Sequence, residues 1–191
     1  MDEVIIQRTI SIADEENIVV RAQRQDTEAF TQLYDAYFDK IYRYVAVRIR
    51  NEMEAEDIAQ QVFMKMLQSI SSYQCKGVPF SAWLYRIAHN QVIDFLRQQN
   101  KKATLDIEGM PLPDSGDDPQ HIIELQFDIE HLKQAMKKLT PSQQEVLSLR
   151  FTGDLSIAEC AQIMGKSEGA IKALQHSAVQ ALKRVMAVNE Q

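Results

Sequence analysis

The sequence predicts an all-helical protein made of two small bundles joined by an acidic flexible linker, the second bundle containing a helix-turn-helix. Three observations carry that expectation. Gly (6) and Pro (5) are scarce among 191 residues, and strand-like alternation is hard to find. Apolar residues recur instead at intervals of three and four along several segments. Acidic charge is also concentrated: Ala103 to Glu130 holds eight Asp/Glu and no Lys or Arg. Since the whole chain carries −6, the remainder carries +2. Within the acidic stretch, GMPLPDSGDDP (109–119) has too little apolar content to order itself and reads as a linker. The expected organisation is an N-terminal extension (1–20), a first domain (21–99), a linker (100–119) and a second domain (120–191).

Helix signals follow in order along the first domain. Asp14–Arg24 is a weak helix. Asp26-Thr27-Glu28 opens a stronger one, with Phe30, Leu33, Tyr34, Tyr37, Ile41, Tyr44 and Val45 forming an apolar stripe. Asn51 is placed to cap the next helix, whose first turns carry Glu52, Glu54, Glu56 and Asp57, acids that suit a helix N-terminus. Its stripe is Ile58, Val62 and Met66, with Phe63 and Leu67. The loop SYQCKGVPF leads to a helix from Ser81 to about Gln98, with Phe80, Leu84, Ile87, Ala88, Val92 and Phe95 turned inward. Arg86, Asn90 and Arg97 share its outer face.

In the second domain a helix is expected over 120–138. Thr140-Pro141-Ser142 then supplies an N-cap followed by proline at the first helical position, opening a helix over 141–151. Ser156 caps IAECAQIM, with Glu159 at capping-box spacing. Gly165 supplies a turn, and Ser167 caps a last helix over 168–188. Ile157, Ala161 and Ile163 are spaced to pack on Ile171, Leu174 and Ala178. Two helices joined so tightly form either a helix-turn-helix or an ordinary antiparallel pair in a bundle core.

Composition excludes several classes of function. No apolar run approaches the ~20 residues that span a bilayer, and MDEVIIQRTI lacks the basic start and apolar core of a signal peptide. Cys75 and Cys160 stand far apart with no CxxC, and His89, His121, His131 and His176 are scattered. Neither a metal site nor a disulfide framework is expected, and the compartment is a reducing cytoplasm. There is no Gly-rich phosphate loop and no paired catalytic carboxylates, so no catalytic residue, cofactor or metal is assigned. The acidic total argues against nucleic acid only at face value, because residues 131–191 hold eight Lys/Arg against five Asp/Glu.

Five blocks in sequence carry a resemblance: DTEAFTQLYDAYFDKIYRYV, AEDIAQQVFMKML, PFSAWLYRIAHNQVIDFLR, LTPSQQEVLSLRF and SIAECAQIMGKSEGAIKALQH. Their order, with a linker between the third and fourth, resembles the sigma-70-family RNA polymerase sigma factors. The similarity is strongest to the extracytoplasmic-function (ECF) group, which keeps only regions 2 and 4. The resemblance implies an alternative sigma factor that binds core RNA polymerase, reads −10 and −35 promoter elements and promotes DNA opening without catalysing a reaction. It implies promoter DNA, core polymerase and an anti-sigma factor as partners, and no membrane insertion.

The same resemblance places site residues. Asp57, Gln60, Gln61 and Phe63 match the core-polymerase-binding helix, although the family usually has an acid at Gln61; on residue chemistry alone this is equally a solvated helix face. Tyr73, Gln74, Lys76, Trp83, Arg86, Asn90 and Arg97 match the segment that opens and reads the −10 element. There Trp83 is either a base-stacking surface or a core tryptophan. Ser167, Lys172, Gln175, His176 and Lys183 match the −35 reader, where Leu174 and Ser177 replace the family's frequent arginines. Gly169 and Ala170 are small enough to admit a phosphate near the helix end. A free-standing helix-turn-helix repressor and a helical adaptor with an acidic linker are the other readings.

Overall fold

The computed structural model describes residues 12–49, 51–74, 77–105 and 134–188. Among them every regular element is helical. Helix α1 (Ile12–Gln23) lies along α2 (Thr27–Ala46) and the short 3-10 turn Ile70–Ser72. Val19 and Ala22 are buried, so the boundary expected between an extension and a first domain at residue 20 falls inside a helix that belongs to the bundle. Gln23 ties it down further, its Nε2 donating to the carbonyls of Ile70 (3.1 Å) and Tyr73 (2.7 Å).

The caps act where the sequence places them. Asp26 Oδ1 accepts from the N–H groups of Glu28 (3.0 Å) and Ala29 (3.3 Å), satisfying two of the orphan donors at the start of α2. Its other oxygen takes a 2.7 Å hydrogen bond from Arg21 Nε, which holds the carboxyl below the usual carboxylate range. Asn51 caps α3 (Glu52–Ser69) by accepting from Glu54 N at 3.0 Å. Helices α2, α3 and α4 (Phe80–Leu105) then enclose a core of Leu33, Ile41, Val45, Ile58, Val62, Met66, Leu84, Ala88 and Val92.

Helix α4 overruns its expected end at Gln98 and enters the stretch assigned to the linker. The reason is local: QQNKKATL contains good helix formers, and the first Gly or Pro comes only at Gly109. The expected inward residues Ile87 and Phe95 are only half-buried.

Most of the expected helix 120–138 lies outside the described residues; 134–137 are helical. Thr140 closes a capping box with Gln143 at the start of α5 (Pro141–Leu147). That helix ends by widening into a π turn over Ser148–Thr152, where Gly153 N donates to Ser148 O at 3.1 Å. Helices α6 (Ile157–Met164) and α7 (Glu168–Val188) follow. Their joint is the predicted tight turn: Ser156 and Glu159 form a reciprocal capping box, and Gly165 adopts a left-handed φ of 62°. Buried Leu149, Leu155, Cys160, Ile163, Ile171 and Ala178 make the small core beneath them.

The two bundles are in contact. The π turn packs on α2, and α6 packs on α4, so the two apolar cores are continuous.

Candidate nucleic-acid and protein interfaces

The last helix begins with an ordered end. Ser167 Oγ accepts from Ala170 N at 3.2 Å, leaving its own hydroxyl proton available to a ligand. Gly169 faces open space: an added Cβ would meet nothing within 4 Å, so nothing inside the fold requires glycine there. One turn on, Lys172, Gln175, His176 and Val179 line a shallow, open surface depression. Lys172 and His176 are exposed and Gln175 is half-buried, while Lys183 is exposed two turns further along. Ser177 accepts a 3.0 Å hydrogen bond from Gln143 Nε2, which couples the start of α5 to the flank of α7. The TPSQ spacing that makes Gln143 a capping residue is visible in the sequence; its reach to Ser177 depends on how α5 and α7 pack and is not.

On α4, Arg86, Asn90 and Arg97 are exposed, and Arg97 lies 3.7 Å from Asp94. Gln74 is exposed, and Lys76 lies outside the described residues. Two aromatic assignments need correction. Tyr73 and Trp83 are only 7% and 8% exposed. Their rings pack at 5.2 Å and both contact Phe80, while the Tyr73 hydroxyl donates to Val78 O at 2.8 Å. Neither presents a free face for a base to stack on; the ring cluster instead holds the base of the loop against the start of α4. The core alternative for Trp83 is the one realised.

Helix α3 turns Asp57, Gln60 and Gln61 to solvent. Gln60 Nε2 reaches back to Glu56 Oε1 at 3.4 Å. Phe63 is corrected from contact residue to core: it is 4% exposed, pinned between Tyr34 (4.9 Å) and Phe38 (5.8 Å). What lies exposed beside the polar residues is Tyr34, together with Met64 and Leu67. Tyr34 stacks on Phe38 at 4.7 Å, and its phenol is pushed up in pKa by burial and then by the nearby Glu56, Asp35 and Asp39. Sequence periodicity put Tyr34 and Leu67 in the inward stripes; each stripe is wider than the surface its helix buries, and the excess forms this apolar patch.

A polar cluster sits where the bundles meet. Glu145, on α5, is a buried charged residue whose Oε1 faces three donors of the first bundle. Arg48 Nη1 lies at 3.1 Å, the Tyr44 hydroxyl at 3.3 Å, and His89 Nδ1 makes a close contact. Burial pushes the Glu145 carboxyl up, but His89, Arg48 and Tyr44 together outweigh it and leave it below the usual range. Beside it, Tyr44 meets Tyr85 edge-on at 5.4 Å, and an added Cβ at Gly153 would stand 2.9 Å from the Tyr85 ring.

Among the described residues no group of His, Cys, Asp and Glu is arranged to hold a metal ion, and no helix is long and apolar enough to cross a membrane. Cys160 is buried with its thiol pushed up to about 11 by burial, a packing cysteine rather than a nucleophile.

Residues 33–102 match the sigma-70 region 2 family and residues 135–184 match sigma-70 region 4. The chain is 30% identical over 176 residues to the ECF RNA polymerase sigma factor SigW of Bacillus subtilis, covering 87% of this chain and 93% of that protein. It is 37% identical over 172 residues to the ECF sigma factor BldN of Streptomyces coelicolor, covering 88% of this chain but 64% of that longer protein. The fold is also that of the sigma factor RpoE solved with the anti-sigma factor NepR from Bartonella quintana, at a TM-score of 0.73 and 23% identity over 85% of this chain and 99% of that one. The chain belongs to the sigma-70 family of RNA polymerase sigma factors, in its ECF group.

Proposed function

We propose that this sigma factor directs RNA polymerase to promoters through three separate surfaces. The exposed face of α3, with Asp57, Gln60 and Gln61 beside Tyr34 and Met64, binds core polymerase. The outer face of α4, with Arg86, Asn90 and Arg97 and the neighbouring Gln74, contacts the −10 element through phosphates and base edges. The start of α7, with Ser167, Lys172, Gln175 and His176, reads the −35 element from the major groove, and Lys183 contacts phosphate. The factor positions polymerase and helps strands separate without catalysing a reaction of its own, and it works in the cytoplasm, where polymerase and promoter are.

The observation that carries this reading is the grouping of Lys172, Gln175 and His176 around one exposed depression on the second helix of a helix-turn-helix. A lysine, an amide and an imidazole together supply donors and acceptors suited to base edges. The low positive charge of this helix fits a factor whose nonspecific affinity for DNA comes from the polymerase it accompanies. An anti-sigma factor is the expected negative regulator, as such a factor accompanies the similar RpoE in its solved structure. The test is run-off transcription with core polymerase and the purified chain, with start sites mapped. Defined starts that require both components support the assignment. Specific duplex binding without any polymerase-dependent transcript would favour a free-standing repressor.

A further inference from the structure

Helix α3 runs into the 3-10 turn Ile70–Ser72, and the chain then leaves the bundle at Tyr73, which is extended at φ −65° and ψ 131°. Carbonyls at a helix end lack their full set of partners within the helix. Two of them, those of Ile70 and Tyr73, accept from the side-chain amide of Gln23, at 3.1 and 2.7 Å. A primary amide nitrogen carries two protons, so one side chain serves both carbonyls. Gln23 stands 47 and 50 positions before its acceptors, so this is no local cap.

Gln23 is itself held. It is the last residue of α1, next to buried Ala22. In the turn that follows, the N–H groups of Arg24 and Gln25 donate to the carbonyls of Arg21 and Ala22, each at 2.9 Å. The Arg21–Asp26 contact at 2.7 Å closes the same turn. The amide therefore reaches out from a fixed point, and what it grips is specific. The Tyr73 carbonyl belongs to the planar peptide unit that leads into Gln74, so holding that oxygen fixes the direction in which Gln74 sets out. The rest of Tyr73 is clamped from the other side. Its ring packs on Phe80 and Trp83, and its hydroxyl donates to Val78 O at 2.8 Å. Gln74, the next residue, is exposed.

We propose that Gln23 is a positioning residue for −10 recognition: from the N-terminal helix α1 it orients the Tyr73–Gln74 peptide and so sets the Gln74 side chain against the promoter strand. Side chains that make specific contacts need their own support to be locked, or the contact loosens. Helix α1 thus contributes to base choice without touching DNA. This role rests on the reading that Gln74 contacts the −10 element, and one arm of its test does not.

The chain has one tryptophan, Trp83, whose ring lies 5.2 Å from that of Tyr73 and reports on it without any promoter. Gln23→Ala removes the donor, and Gln23→Glu keeps the length but presents acceptor oxygens to the two carbonyls. Both are compared with Gln74→Ala and with the Gln23→Ala/Gln74→Ala double variant. The free full-length chains are followed by circular dichroism and Trp83 fluorescence, and the holoenzymes by transcription from a library with a randomised −10 element. Both Gln23 variants should keep helicity, core-polymerase affinity and −35 preference, and should change Trp83 emission. They should lose on the order of tenfold in −10 discrimination, the loss expected for one good base contact. The double variant should discriminate no worse than Gln74→Ala alone, because coupled residues do not add. Additive losses, wild-type −10 preference in both Gln23 variants beside an altered Gln74→Ala, or helicity lost in both, would overturn the positioning role. So would unchanged Trp83 emission in both. If Trp83 emission changes but Gln74→Ala keeps the wild-type preference, Gln23 holds the peptide as described and it is the assignment of Gln74 as a reader that falls.

Discussion

Helices α3 and α7 each offer an exposed polar face. On α3 the polar residues border Tyr34, Met64 and Leu67, all more than 40% exposed or at that level. On α7 the depression is lined by exposed Lys172 and His176 with half-buried Gln175 and Val179. The difference separates two kinds of partner. Exposed apolar side chains ringed by polar ones suit another protein, where desolvated aromatic anchors carry affinity. A polar face with small residues at the helix start suits DNA, where hydrogen bonds to base edges carry specificity.

Tyr34→Ala removes the central aromatic anchor and should cost about 2 kcal/mol or more in core-polymerase affinity, roughly 30-fold. Quantitative co-purification with core polymerase measures this, and promoter preference among the surviving complexes should not change. Lys172→Ala and His176→Ala should each alter discrimination at a −35 base pair by ~1–3 kcal/mol while leaving polymerase affinity at the wild-type value. A loss of polymerase binding from these variants would mean that α7 also has a protein partner.

Asp57→Ala and Gln60→Ala lie at the rim of the α3 patch, and each should weaken polymerase binding by less than about 1 kcal/mol without lowering the melting temperature. A collapse in melting temperature would make them structural. Glu145 lies where the bundles meet, and its lowered carboxyl pKa makes its contribution present above the ordinary carboxylate range. That contribution is lost as pH falls through the lowered folded-state value. Urea midpoints should therefore decline in acid, and Glu145→Gln should flatten that decline. Lys183→Ala should have the least specific effect: similar loss on every promoter and a salt slope reduced by about one.

Capping chemistry made much of the fold legible. Asp26, Asn51, Thr140, Ser156 and Gly165 all act at the helix ends their identities mark, because a cap is a local interaction between near neighbours. Burial was less legible. Periodicity identifies a stripe but not how much of it a neighbour covers, so Tyr34 and Leu67, read as inward, are exposed, while Phe63, which periodicity put in the stripe and the family resemblance put in the contact surface, is core. Tyr73 and Trp83 show the same limit: an aromatic residue in a loop next to a helix suits stacking on a base or on other rings, and only the packing of Phe80 decides. The joint at Glu145 was not legible at all. Its partners lie 56 to 101 positions away in the chain, and nothing in a single sequence links a glutamate in one bundle to a histidine in the other.

In the proposed docking, α7 reads bases through Lys172 and His176 while Lys183 only anchors the backbone. The most direct measurement is transcription from a promoter library with a randomised upstream element, by holoenzyme carrying wild type, Lys172→Ala, His176→Ala or Lys183→Ala. Lys172→Ala and His176→Ala should change which upstream sequences are preferred, and Lys183→Ala should lower output to a similar degree across the library. Wild-type preference retained by both Lys172→Ala and His176→Ala, or a changed preference in Lys183→Ala alone, would contradict it.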